Sequence, residues 1–239
     1  MRRREFLRDS LLAIVGGKLV YDLHSDFQQS RILHKIYHEL PKHIYLADTR
    51  FETAESASPV IQSGSGIIYG GKYITMSHIV TIFPRTVRIG PMFMQTIPEV
   101  LSQETWLHGR KLELLFKDEA TDAAIFRLPK GFELPEFPTG PQYERELGEE
   151  IYIIGNPATT GVNIRRTTIS RNKPPLERIG LEPLKNRPGS FGIGANLIPG
   201  DSGTPVINSK GELIGLSSYL LAGMGYAKEI KLYELAKFT

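Results

Sequence analysis

Cysteine is absent from this 239-residue chain, which excludes disulfides, thiolate metal sites and cysteine catalysis and leaves the redox compartment open. A membrane-spanning run is missing too. The apolar stretch near the start, Leu11–Val20, has only ten residues and contains Gly16, Gly17 and Lys18; it is too short to cross a bilayer, so no stable membrane span is expected. Charge of one sign is scarce: 29 Lys and Arg against 26 Asp and Glu leave +3, far from the strongly basic balance of a nucleic-acid binder. The local exception is Arg165 to Arg187, with seven Lys/Arg against two Glu. It reads as a solvated loop, or else as a surface that steers an acidic partner. Low-complexity tracts and basic-aromatic interleaving are also lacking, so no nucleic-acid partner is expected. His34 and His38 have helical i, i+4 spacing, but His38-Glu39 is not followed by the second histidine of a zinc-protease motif. They read as solvated or capping residues, and no metal or other cofactor is expected.

What is present suits a folded domain. With 41% hydrophobic and 23% charged residues, a chain of this length can bury a substantial core without covalent staples. Residues 27–40 read as a helix broken by Pro41, followed by a short strand at His43–Ala47. From residue 60 onward, short apolar runs are bounded by Gly, Pro, Asn and Asp: Ser65–Tyr69, Tyr73–Met76, Thr86–Ile89, Lys111–Phe116 and Ala123–Leu128. The later ones are Glu150–Ile154, Arg166–Ser170, Thr204–Asn208, Leu213–Tyr219 and Gly225–Ala227. Such regular spacing predicts all-β barrels. Leu128–Leu147 carries Pro129, Pro135, Pro138 and Pro141, which suits a linker between two barrels. Ile230–Phe238 is apolar at helical spacing and predicts a short closing helix. Pro91–His108 exceeds a simple connection; its Met92, Phe93, Met94 and Trp106 suit a lid or partner patch, or a satellite cluster packed inward.

The chemistry concentrates in Pro199-Gly200-Asp201-Ser202-Gly203-Thr204-Pro205. A serine hydroxyl needs a base to take its proton and donors to hold the oxyanion that forms. A glycine turn lets backbone N–H groups converge without Cβ obstruction. A base is offered by His78, after the apolar run Tyr73–Met76, and a third partner by Asp122, ahead of Ala123–Leu128. The order His, Asp, Ser differs from Ser, Asp/Glu, His in α/β-hydrolases and from Asp, His, Ser in subtilisin. A Gly-x-Ser-x-Gly elbow is excluded by Thr204.

On these residues the chain resembles the trypsin-like, chymotrypsin-fold serine proteases, and within them the bacterial HtrA-type branch. The resemblance spans roughly residues 55–238. It includes Gly64-Ser65-Gly66-Ile67-Ile68, the histidine segment Tyr73–Val80, and Leu134–Pro138 with the Gly155-Asn156-Pro157 turn. Ala195–Ser202 and Gly223–Ala227 complete it. It implies two six-stranded antiparallel β-barrels of the chymotrypsin type, with a helix at each end of the chain. The implied division is an N-terminal segment 1–50, a first barrel 51–128, a linker 129–147 and a second barrel with closing helix 148–239. The implied activity is a serine endopeptidase with His78, Asp122 and Ser202 as catalytic residues and the Gly200 and Ser202 amides as the oxyanion hole. Ser218 would support the aspartate; Asn196, Leu197, Ile198 and Tyr219 would line the substrate pocket. Between Ser190 and Gly200 there is no carboxylate, so small or medium aliphatic side chains are expected there, Glu182 being the one exception if its loop covers the cleft. The partner is a polypeptide, unfolded or flexible, with a role in protein quality control, and oligomerisation stays open.

Departures and alternatives accompany the resemblance. Thr204 stands where a glycine commonly follows Ser-Gly, and its branched side chain is expected to restrict the backbone and narrow the pocket. Ile14-Val15-Gly16-Gly17 matches the new N-terminus of activated zymogens, yet Ala13 precedes it rather than a basic residue, so that activation is not expected. The resemblance is to the protease domain alone, and a peptide-binding PDZ domain is not expected within these residues. Arg3-Arg4-Glu5-Phe6-Leu7-Arg8 resembles a twin-arginine export signal, implying an extracytoplasmic protein; the other reading is an amphipathic starting helix on a cytoplasmic one. A non-catalytic peptide-binding or chaperone-like module on the same fold, and an esterase using the same residues, remain as alternative functions.

Overall fold

The computed structural model describes residues 28–82, 85–89, 92–119, 121–138, 145–155, 161–171, 190–198, 200–221 and 224–229. The twin-arginine segment, Ile14–Gly17, Glu182 and the closing helix over Ile230–Phe238 lie outside them. Residues 28–34 are α-helical, then the run widens to a π turn at Lys35–Glu39 and tightens to a 3-10 turn at Leu40–His43. Pro41 falls in the first turn of that last segment, where its missing N–H is tolerated. Ile32, Ile36 and Leu40 recur every four residues and face the core, Ile36 and Leu40 fully buried. His34 and His38 share the exposed side, their ring centroids 4.7 Å apart. Among the described residues no helix is long and apolar enough to cross a membrane.

Fourteen strands follow among the described residues. β1 (Ile44–Thr53), β2 (Ser56–Tyr69) and β3 (Lys72–Thr75) lead to a 3-10 turn at Ser77–Val80. β4 (Arg85–Ile89) and β5 (Met92–Thr96) pair only with each other. β6 (Val100–Leu107), β7 (Arg110–Asp118) and β8 (Ala123–Arg127) close the first antiparallel barrel in the order β1-β2-β3-β8-β7-β6. β9 (Glu150–Gly155), β10 (Asn163–Arg171), β11 (Ser190–Ile193), β12 (Pro205–Asn208), β13 (Leu213–Leu221) and β14 (Met224–Lys228) form the second, ordered β10-β11-β14-β13-β12-β9. The architecture is therefore two closed six-stranded barrels preceded by a helix.

Several elements differ from their sequence-based outlines. The short strand expected at His43–Ala47 is the start of ten-residue β1, so a division at residue 50 would cut a barrel strand. Burial alternates along it without a break, and charged Asp48, Arg50 and Glu52 on the exposed face carry the strand on to Thr53, past the apolar stretch that marks its first half in the sequence. Pro91–His108 is not one insertion: its second half is β6, a barrel strand paired with β1 from Ala47↔Leu107 to Thr53↔Val100. Trp106 there lines an open groove of about 490 Å³ with Leu46, Asp48, Arg50, Ile61 and His108. The side chains of Met92, Phe93 and Met94 lie outside the described residues.

Strand β9, Glu-Ile-Tyr-Ile-Ile-Gly, is buried on both faces, which is why it reads as a continuous apolar run. Ile151 and Ile153 fill the interior of the second barrel with Ile169, Phe191, Ile193, Val206 and Ile214. The intervening Tyr152 and Ile154 join Ile207, Leu213 and Leu216 in a cluster that continues through Ile36 and Leu40 to Ile67, Tyr73 and Phe126 of the first barrel. One apolar cluster thus joins the helix, the first barrel and one face of strands β9, β12 and β13, while the interior of the second barrel forms a cluster of its own. The proline-rich passage is strapped to it: Phe137 is buried, its N–H donates to Ile68 O at 2.8 Å, and Tyr45 Oη donates to Pro135 O at 2.9 Å.

Candidate active site

Three elements bring the site together. Extended Met76 follows β3, and the 3-10 turn after it presents His78, whose side chain is 22% exposed. Asp122, just ahead of β8, is fully buried and takes a left-handed backbone with φ +55°. That conformation is uncommon outside glycine, and Asp and Asn tolerate it best. Its carbonyl accepts the Ser77 N–H at 3.1 Å, so backbone and side chain both tie it to the histidine turn. Ser202 lies in the loop entering β12.

The carboxylate of Asp122 is surrounded by donors. Oδ1 accepts the His78 backbone N–H at 3.1 Å and the Ser77 hydroxyl at 3.0 Å. Ser218 Oγ, on β13, donates to Oδ2 in a short hydrogen bond. His78 Nδ1 lies 3.0 Å from each oxygen. An ionised carboxylate only accepts, so Nδ1 carries the hydrogen, and the Nε2 of a neutral ring must be the acceptor. That Nε2 is 2.7 Å from Ser202 Oγ. The second acceptor near the hydroxyl, Ser218 O, is more distant at 3.4 Å. The proton of Ser202 is therefore directed at the imidazole.

The loop carrying Ser202 is held from both barrels. Ser65 of β2 donates its N–H to Ser202 O at 2.8 Å and its hydroxyl to Gly200 O at 3.2 Å. Gly203, φ +82°, comes so close to β2 that a Cβ there would sit 1.8 Å from Ser65 O. On the other side Gly203 N–H donates to Ser217 O and Thr204 N–H to Asp201 O, at 2.8 and 3.0 Å. Thr204 is buried; its hydroxyl donates to Asp201 O at 2.7 Å and lies 2.8 Å from Ser217 Oγ. The branched residue thus braces the turn from within instead of projecting into a pocket. The amides of Gly203 and Thr204 are consumed by these bonds and that of Asp201 by Ile198 O at 3.0 Å, whereas those of Gly200 and Ser202 have no acceptor among the described residues. Gly200 adopts φ +98°, open to glycine.

The residues expected to line a substrate pocket are dispersed. Asn196 is exposed, Leu197 is buried within the second barrel's cluster, and Ile198 is 45% exposed. The side chain of Tyr219 lies outside the described residues. Sequence reasoning missed Ser65, Ser77 and Ser217, small polar residues whose importance arises only from contacts across 10 to 135 positions of chain. Thr75 belongs with them, its hydroxyl donating to Ser65 O at 2.6 Å.

Comparison with known proteins follows the same lines. The serine endoprotease DegS of Salmonella typhimurium is 28% identical over 170 residues, covering 70% of this chain and 42% of that protein. The mitochondrial serine protease HTRA2 of Drosophila willistoni is 28% identical over 195 residues, covering 77% of this chain and 40% of the relative. The chain thus spans less than half the length of these relatives. In fold it is similar to the HtrA-type protease AlgW solved with a tripeptide, at TM-score 0.59 and 20% identity, covering 86% of this chain and 62% of that one. A serine endoprotease from Yersinia pestis gives TM-score 0.56 and 19% identity, covering 87% and 66%. The model of the trypsin-like peptidase domain matches residues 64–216, from the β2 glycines to the middle of β13, and the chain belongs to that family.

Proposed function

We propose that the protein is a serine endopeptidase acting on unfolded or flexible polypeptides through His78, Asp122 and Ser202. The observation that carries this reading is the continuous relay from Asp122 through His78 Nδ1 and Nε2 to Ser202 Oγ, with 3.0 and 2.7 Å steps. As a peptide carbonyl enters, Ser202 Oγ bonds to its carbon while the hydroxyl proton passes to His78 Nε2. The carbonyl oxygen becomes an oxyanion and takes the amides of Gly200 and Ser202, each such donor contributing about 10²–10³ in rate. The imidazolium, stabilised by Asp122, then returns its proton to the departing amine as the C–N bond breaks. Water, deprotonated by the same nitrogen, attacks the acyl ester and releases Ser202.

A binding module on this fold would not need a hydroxyl aimed at an imidazole nitrogen, nor two amides beside it that have no acceptor among the described residues. Ser202→Ala should abolish casein hydrolysis and fluorophosphonate labelling while keeping the circular dichroism spectrum. Undiminished hydrolysis in that variant would refute the mechanism, and an active parent that cleaves esters but no peptides would assign an esterase.

A further inference from the structure

Thr204 stands just past the proposed nucleophile and is fully buried, as is Ser217 on β13. Its hydroxyl meets one carbonyl of the turn, Asp201 O, at 2.7 Å. A carbonyl only accepts, so Thr204 spends its single hydrogen there. The 2.8 Å contact between the Thr204 and Ser217 hydroxyls is then a donation from Ser217. Asp201 O receives a second donor, the Thr204 N–H at 3.0 Å, which closes a four-residue turn around Ser202 and Gly203. The Asp201 side chain points elsewhere, its Oδ2 lying 2.7 Å from Arg165 Nη2.

The peptide units along this turn are held unequally. The Gly200–Asp201 unit is fixed at both ends, its carbonyl by the Ser65 hydroxyl at 3.2 Å and its N–H by Ile198 O at 3.0 Å. The Ser202–Gly203 unit is fixed likewise, by the Ser65 N–H and by Ser217 O, each at 2.8 Å. Between them, the Asp201–Ser202 unit ends in the Ser202 N–H, which has no acceptor among the described residues. That unit is held by its carbonyl end. A trans peptide unit is planar, with its C=O and N–H pointing opposite ways, so whatever fixes Asp201 O also aims the Ser202 N–H. We infer that Thr204 is a positioning residue whose hydroxyl fixes Asp201 O and thereby aims the Ser202 amide at the oxyanion. The inference rests on the reading of Ser202 as nucleophile. A second effect acts in the same direction: a donor at the carbonyl polarises the peptide unit and strengthens its N–H as a donor. The restricted χ1 of threonine keeps the hydroxyl on its target. A glycine at this position would retain the backbone N–H bond and lose both effects.

The test compares Thr204→Val, which keeps the branched shape, and Thr204→Ser, which keeps the hydroxyl, with the parent. It follows kcat and KM on a peptide substrate and the rate of fluorophosphonate labelling at Ser202. For Thr204→Val we expect kcat and labelling to fall together by about 5- to 100-fold, between the loss of one neutral hydrogen bond and that of a whole oxyanion donor. KM should stay within about threefold, because the hydroxyl acts on the transition state. Thr204→Ser should keep kcat within about threefold of the parent, since the donor to Asp201 O remains. A folded Thr204→Val with parental kcat, or with an effect confined to KM, would overturn the inference. So would a Thr204→Ser as impaired as Thr204→Val, because the loss would then follow packing and not the hydroxyl. If Thr204→Val does not fold, Thr204→Ala decides: kcat below that of Thr204→Ser at parental KM supports the role, and kcat equal to it rejects the role. Labelling of the parent separates the two levels. An unlabelled parent defeats the reading of Ser202 and this inference with it, whereas a labelled parent with an indifferent Thr204→Val defeats the inference alone.

Discussion

Asp122 shows how much a single residue is asked to do here. Its carboxylate receives Ser77, Ser218 and both the backbone and ring N–H of His78, and it holds a left-handed backbone in a dry environment. Such strain persists only where the surroundings over-determine it. An asparagine would keep the shape and the tolerance for φ +55°, but its amide would place a donor against either Ser218 or His78 Nδ1. The ring would then be free to adopt the other tautomer, leaving Nε2 with a hydrogen and unable to accept from Ser202. Asp122→Asn should accordingly lower kcat by roughly 10³–10⁴ at neutral pH with little change in melting temperature, as read by steady-state kinetics and calorimetry. A rate close to the parent's would remove Asp122 from the relay.

Among the elements, the turn from Gly200 to Thr204 carries the strictest geometry. Gly203 meets two demands at once: a backbone with φ +82°, and an approach to β2 that leaves no space for a methyl group. Gly203→Ala should cost about 2–4 kcal/mol, from left-handed strain plus displacement of Ser65, visible as a lower urea midpoint at unchanged slope. A midpoint equal to the parent's would mean that the turn stands farther from β2 than described. Thr204 belongs to the same element. Read alone, a threonine after Ser-Gly looks like an obstruction, but its hydroxyl finds Asp201 O and Ser217 Oγ, and the buried polar group is satisfied where it sits.

For the whole molecule, the decisive feature is that the site is shared. His78 and Asp122 belong to the first barrel, Ser202 to the second, and the cluster through Tyr152, Ile207 and Leu216 to Ile67 and Tyr73 joins the barrels beneath them. Ser65 adds hydrogen bonds across the cleft. The barrels should therefore unfold together. The chain offers a convenient probe, since its single tryptophan, Trp106, lies in the first barrel on β6, while labelling at Ser202 reports on the assembled site. Urea titrations followed by tryptophan fluorescence and by labelling competence should give coincident midpoints. Loss of labelling well before the fluorescence change would show that the barrels separate before the first one melts.

The amino-acid sequence determined the class of fold and picked out the three side chains of the proposed relay, because both leave local signals. Short apolar runs bounded by turn formers appear wherever strands are buried on both faces, as in β9, and a serine between glycines marks its turn by composition. Where one face is charged that pattern stops short: in β1 only the first half was legible, and the stretch bearing Asp48, Arg50 and Glu52 was not. Chain order fixed the arrangement of His78, Asp122 and Ser202 but not their distances. Tertiary structure alone decided that Ser65 anchors the nucleophile turn, that Leu197 is buried in a barrel interior, and that Arg165 meets Asp201. The two pairings link residues 137 and 36 positions apart only through strand register and barrel closure, and no local preference encodes a contact that exists only once the barrels have closed.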